Sequence, residues 1–130
     1  MKTKSISFLR ATPLLAIASA LISACGTIGD TDAVKEASEL AIDCKTHEAL
    51  AAVDRASQGG GLGANIADLQ RVVILRDAGQ MSEADAAMAE RNQRAGADAK
   101  AAAEADQSVA KSMEEMRVER QKRTGRRICP

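Results

Sequence analysis

Aromatic residues are almost absent from this sequence, which has no Trp, no Tyr and one Phe, Phe8, among 130 residues. Base-stacking surfaces for single-stranded nucleic acid and aromatic cages for cationic ligands both need rings, so neither kind of site is expected. Proline is also scarce, with only Pro13 and Pro130. The long stretches of Ala, Glu, Arg, Gln and Met that remain favour helix. The sequence therefore predicts an all-α protein whose core consists of Ala, Leu, Ile, Val and Met.

The N-terminal apolar run, residues 11–22, is too short to cross a bilayer comfortably, which takes about 20 apolar residues. Lys2, Lys4 and Arg10 precede it, and small residues follow it. An order of basic, apolar and small residues is typical of a secretory signal. We therefore expect residues 1–24 to be a signal peptide.

The tetrad Ile22-Ser23-Ala24-Cys25 resembles a bacterial lipobox. The resemblance implies cleavage before Cys25, diacylation of its thiol and acylation of the new amino group. Two or three acyl chains hold a protein stably on a membrane. By the same resemblance, Gly26 in place of an aspartate favours the periplasmic face of the outer membrane. An ordinary signal peptide that happens to precede a cysteine is the alternative.

Two cysteines remain once Cys25 carries lipid, and export places them where disulfides form. A bond between Cys44 and Cys129 would close a loop of 85 residues, worth on the order of 4 kcal/mol in the chain-entropy model. The sequence does not show whether their Cα atoms approach within about 7 Å. A free or intermolecular Cys129 is the alternative.

The charge balance is mild, because the chain without its signal carries 15 Lys+Arg against 18 Asp+Glu. This argues against a general nucleic-acid binder. The bases concentrate between residues 117 and 127, where Glu119 is the one acid. Such a segment is either a patch for anionic lipid headgroups, lipopolysaccharide phosphates or an acidic partner, or the end of a long helix whose dipole the bases offset. Its bases are Arg117, Arg120, Lys122, Arg123, Arg126 and Arg127.

Helical spacing of apolar residues organises the chain after residue 30, and residues 25–30 are predicted to be a tether. One helix is expected to begin at residues 30–32 and a second to cover residues 46–57. The glycine-rich stretch at residues 58–63 predicts a loop. Asn65 is then expected to cap a helix that contains the most hydrophobic stretch after the signal, which begins at Ile66. Gly79 should end that helix, and Ser82 with Asp85 suggests a capping box for the next one.

A shift of 35 residues superposes apolar residues on apolar residues, for example Leu40 on Leu75 and Val53 on Met88. The segment L-R-D-A-G-Q-M-S-E-A-D-A-A-M resembles the centre of a tetratricopeptide repeat, with Gly79 at the turn. Cys44 stands in the corresponding place of the first unit. The resemblance implies two stacked αα-hairpins over residues 31–95. A long Ala-rich helix over residues 96–123 and a basic tail end over residues 124–130 would follow. An unrelated helical bundle of the same period is the alternative.

No set of residues in this sequence suggests catalysis. Cys44 and His47 are neighbours on a predicted helix, but a structural zinc site needs four ligands and the sequence has one His. No nucleophile, base and stabiliser converge in the pattern. We expect no catalytic residue, no metal site, no small-molecule substrate and no cofactor other than the lipid on Cys25. The Met residues are expected to fill the core rather than to form a partner surface.

Two functions fit these expectations. The first is a non-catalytic, lipid-anchored interaction module of the periplasm that binds another envelope protein, whose identity the sequence does not give. The second is a structural envelope lipoprotein that self-associates through its C-terminal helix.

Cys25→Ala should abolish acylation and release the protein from the membrane fraction, because the thiol is the predicted lipid attachment site. Labelling with a fatty-acid probe, followed by fractionation, measures both effects. Unchanged labelling of this variant would refute the lipoprotein interpretation.

Overall fold

The computed structural model describes residues 26–130, and all the regular secondary structure within them is helical. The predicted all-α class is confirmed. Five helices follow one another: α1 (Gly26–Ile42), α2 (Thr46–Ser57), α3 (Gly61–Asp77), α4 (Met81–Arg94) and α5 (Ala99–Thr124).

Several predicted helix starts differ from the structure. Residues 26–30, predicted to be a tether, lie in α1. The expected cap at Asn65 is wrong, because α3 already begins at Gly61 and the Asn65 side chain donates to the Gly61 carbonyl oxygen. Burial of Gly63 and Ala67 against neighbouring helices offsets the low helix propensity of the glycines. The predicted capping box at Ser82 is also wrong, since α4 begins at Met81 without a side-chain cap.

The helix ends repeat at the predicted interval of 35 residues. Helices α1 and α3 each have 17 residues and end at Ile42 and Asp77, and the following helices begin at Thr46 and Met81. The 35-residue repeat of the sequence is therefore also a repeat of helix ends and helix starts in the structure.

The two turns between these helices have the same hydrogen bonds. The Lys45 amide donates to the Leu40 carbonyl oxygen at 2.8 Å, and the Gln80 amide donates to that of Leu75 at 2.9 Å. The residue before each donor is left-handed, with φ of 76° at Gly79 and 61° at Cys44. Cys44 therefore occupies a backbone position that glycine adopts without strain.

The core contains many fully buried alanines together with Val53, Val72, Ile74 and Val109. Met88 and Met116 are buried and Met113 is half-buried, whereas Met81 is exposed. Ile66, the first residue of the most hydrophobic stretch, is 40% exposed. Helix α5 packs on α3 and α1, so it covers one side of these two helices.

Arg120 of α5 is completely buried where α1 and α3 end. Its Nε donates to the Ile42 carbonyl oxygen (3.2 Å), and its Nη2 donates to the Ala41 carbonyl oxygen (2.9 Å). Its Nη1 donates to the Arg127 carbonyl oxygen (3.0 Å). Both Nη atoms also donate to the Asp77 carboxylate, at 2.5 and 3.4 Å. We call these five residues the Arg120 cluster.

The Arg120 cluster uses all five N–H donors of the guanidinium group. Two of the acceptors are carbonyl groups at the end of α1, which have no partner within the helix. Asp77 also receives a hydrogen bond from Arg117 Nε at 2.7 Å. Because the C-terminal ends of α1 and α3 meet here and the two helices pack together, they run parallel.

Arg120→Met should lower the free energy of unfolding by about 3–5 kcal/mol, because it leaves the buried Asp77 carboxylate without its main partner. Arg120→Lys should not restore stability, since an ammonium group has three donors and no planar fork. Urea denaturation measures both variants. Arg126→Met, which changes an exposed base nearby, is the control and should cost less than about 0.5 kcal/mol. An Arg120→Met protein as stable as the wild type would contradict this role.

Candidate interaction groove

A cleft of about 650 Å³ lies between α2 and α4, with α3 as its floor. Leu50, Leu75 and Ala87 give it an apolar base, and Ser57 and Gln80 line it as well. Both its length along three helices and its mixed lining suit a peptide segment better than an enclosed small molecule. We call this cleft the α2–α4 groove.

Two ion pairs connect the floor of the α2–α4 groove to its walls. Asp68 of α3 is 8% exposed, and its carboxylate lies 3.0 Å from Arg94 Nη2 of α4. Arg71 of α3 pairs with Asp54 of α2. Because Asp68 is buried, its pairing with Arg94 matters more than an exposed pair would. The two pairs connect α3 to α2 and to α4 across the groove.

The α2–α4 groove carries more negative than positive charge. Arg71 and Arg94 are its two bases, and both are ion-paired. Glu90 lies 3.9 Å from Arg94, and Glu83 has no ion pair among the described residues. With Asp68, the groove lining has three carboxylates against two guanidinium groups, and this excess of one negative charge makes it mildly acidic.

The opposite side of α3 is covered by the chain itself. Val109 and Met116 of α5 are buried there, and Arg76 of α3 lies 2.7 Å from Asp106 of α5. The α5 side keeps two smaller clefts, of about 490 and 130 Å³, beside Leu69 and Ser108. The α2–α4 groove is larger than either of them.

Cys44 and Cys129 lie together at the C-terminal end of α1. Their Sγ atoms are 2.07 Å apart and their Cα atoms 5.5 Å apart, so the structure forms the intramolecular pair. Cys129 comes two residues after Arg127, whose carbonyl group belongs to the Arg120 cluster. The C-terminal segment is thus attached at two neighbouring points. His47 is exposed on α2, and the described residues contain no group of three His, Cys, Asp or Glu side chains that could hold a metal ion.

The basic segment at residues 117–127 is mostly neutralised by nearby acids. Hydrogen bonds from Arg123 hold the pKa values of Glu39 and Glu119 below their usual range and raise the pKa of Arg123. The other ion pairs join Arg117 and Arg120 to Asp77, Lys122 to Glu119 and Arg127 to Glu114. This pairing favours the helix-end interpretation over a free anion-binding patch.

The Arg120 cluster and the charges of the groove were not predicted from the sequence. Two features of the sequence do point to the Arg120 cluster. Arg120 continues the spacing of the buried residues Val109 and Met116 and therefore falls on the core face of α5. Asp77 stands at a helix C-terminus, where the helix dipole disfavours an acid.

The predicted lipidation and cleavage residues, Ile22 to Cys25, lie outside the described residues. Within residues 26–130, none of the helices is long and apolar enough to cross a membrane. No protein-family model, curated protein or solved structure matches this chain.

Cys44→Gly should be more stable than Cys44→Ala by about 1 kcal/mol, because both lose the disulfide but only glycine adopts the left-handed backbone freely. Urea denaturation under oxidising conditions measures the difference. Cys129→Ser removes the bond without changing the turn, and it should lower the free energy of unfolding by up to about 4 kcal/mol. Two free thiols in the wild-type protein, found by non-reducing mass spectrometry, would contradict the pairing.

Proposed function

We propose that this protein is a non-catalytic interaction module, anchored by lipid on Cys25 at the periplasmic face of the outer membrane. Its α2–α4 groove binds a segment of another envelope protein. The lipobox-like tetrad supports the anchor. The acidic groove, open along three helices, supports the binding role, and it is the observation that carries the proposal.

The repeated turns support a hairpin organisation that resembles tetratricopeptide repeats. In this proposal α1 with α2 and α3 with α4 are the two hairpins, and α5 is the closing helix. The equivalent hydrogen bonds at Lys45 and Gln80 are the structural basis of the likeness. Because α5 packs on α1 and α3, the partner binds the other side, where α2 and α4 form the walls.

The partner segment is best described as a basic amphipathic helix. A helix with side chains is about 10–12 Å wide and can place apolar residues every three or four positions into a groove. Leu50, Leu75 and Ala87 provide the apolar contact, and the carboxylates of Glu83 and Glu90 stand where Lys or Arg of the partner would meet them. Such charges contribute to partner choice and association rate more than to affinity.

Self-association through α5 has less support. Its exposed charges pair within the helix, as Lys100 does with Glu104 and Lys111 with Glu115. Val118, at 36%, is the one exposed large apolar side chain of α5. Two-helix association needs a continuous apolar seam, and the outer face of α5 lacks one.

A photo-crosslinking amino acid at Ala86, on the exposed wall of the groove, should capture a partner in cells. The same group at Ala103, exposed on α5, is the matched control and should capture much less. Glu83→Lys should reduce the Ala86 crosslink, whereas Glu115→Lys on α5 should leave it unchanged. Crosslinks confined to Ala103, joining two copies of this chain, would replace the proposal with the structural-lipoprotein alternative.

A further inference from the structure

Leu62 is the most exposed large apolar side chain of the described residues, at 71%. It lies among glycines at the start of α3, between Gly61 and Gly63. Ile66 follows one helical turn later on the same face and is 40% exposed. Exposed apolar side chains at one end of a helix layer mark a contact surface when they lie together.

The parallel arrangement of α1 and α3 locates this surface. Their C-terminal ends meet at the Arg120 cluster, and each helix has 17 residues, or about 26 Å at 1.5 Å per residue. Their N-terminal residues, Gly26 and Gly61, therefore lie at the opposite end of the layer. Leu62 is one residue beyond Gly61.

Cys25 directly precedes Gly26, and Cα atoms of consecutive residues are about 3.8 Å apart. Since α1 begins at Gly26, the predicted lipid attachment site is the residue directly before the helix layer. Acyl chains on Cys25 therefore start at the same end of the protein as Leu62.

We infer that this end of the helix layer rests on the lipid bilayer, with the Leu62 and Ile66 side chains in the interfacial region. The inference rests on the proposed lipid anchor. It commits the surface to lipid rather than to a protein partner, because the chain that continues from α1 ends within one residue at the acylated cysteine. Short interfacial insertions of this kind bind weakly alone and become effective beside a lipid anchor.

The charges near this end allow such contact. Charges of both signs occur in the helix ends on this side: Asp32 in the second turn of α1, Arg91 in the last turn of α4, and Asp98 with Lys100 at the start of α5. The contact is therefore apolar, and it should depend little on salt. The Arg120 cluster and the disulfide then face away from the membrane, and the α2–α4 groove runs between the two ends.

The lack of aromatic residues provides a direct test. A single Trp in the mature chain is its only strong fluorophore, so Leu62→Trp and Met81→Trp report on the two ends of the layer. Met81 is also exposed, at 51%, and starts α4 beside the end of α3. Each full-length variant is expressed in bacteria, and its acylation is verified by mass spectrometry. The lipidated protein is then reconstituted into vesicles of phosphatidylethanolamine and phosphatidylglycerol, with and without dibrominated acyl chains.

The L62W emission should shift to shorter wavelength and lose most of its intensity with brominated lipid, whereas M81W should keep both. I66W, about 6 Å further along α3, should be quenched less than L62W. Circular dichroism verifies that each variant keeps its helix content. Equal quenching of L62W and M81W, or none for L62W in an acylated protein, would overturn the docking alone. A full-length protein without acyl chains would overturn the anchor and the docking with it.

Discussion

The buried guanidinium of Arg120 is the interaction on which the arrangement of the helices depends. A buried charge is costly unless every donor finds an acceptor. Arg120 meets this requirement only if the ends of α1 and α3 and the segment after α5 come together. The disulfide between Cys44 and Cys129 closes the same end covalently. These contacts make α5 pack along α1 and α3 with its C-terminal end beside theirs.

The position of α5 along α1 and α3 also decides which helix surface is available to a partner. Because α5 packs on α1 and α3, the cleft of about 650 Å³ between α2 and α4 is left uncovered by the C-terminal helix. Tight packing of alanines keeps the helices close, and the Asp68–Arg94 and Asp54–Arg71 pairs hold the groove walls in place. The proposed partner site is therefore built on rigid helices rather than on loops, which favours a pre-formed site.

The proposed membrane contact fixes the orientation of the α2–α4 groove relative to the bilayer. With the N-terminal ends of α1 and α3 at the bilayer, the groove extends away from the lipid. Glu83, in the first turn of α4, then lies near the end of the groove that is farthest from the membrane. A partner helix that follows the groove would then run along the membrane normal rather than in the membrane plane. The lipid anchor would raise the local concentration of the protein for partners in the same membrane.

Composition and spacing alone were enough to determine the helical class, the extents of α2 and most of α5, the period of 35 residues and the turn role of Gly79. These features depend on local propensity and periodicity, which a single sequence displays. The helix starts at Gly26 and Gly61, the exposure of Ile66 and the left-handed Cys44 needed the tertiary structure. At the start of α3, burial of Gly63 and Ala67 against other helices outweighed the local preference of the glycines. The Arg120 cluster and the acidic groove were also decided by the fold. Arg120 and Ala41 are 79 residues apart, and nothing local indicates that two such distant groups will meet.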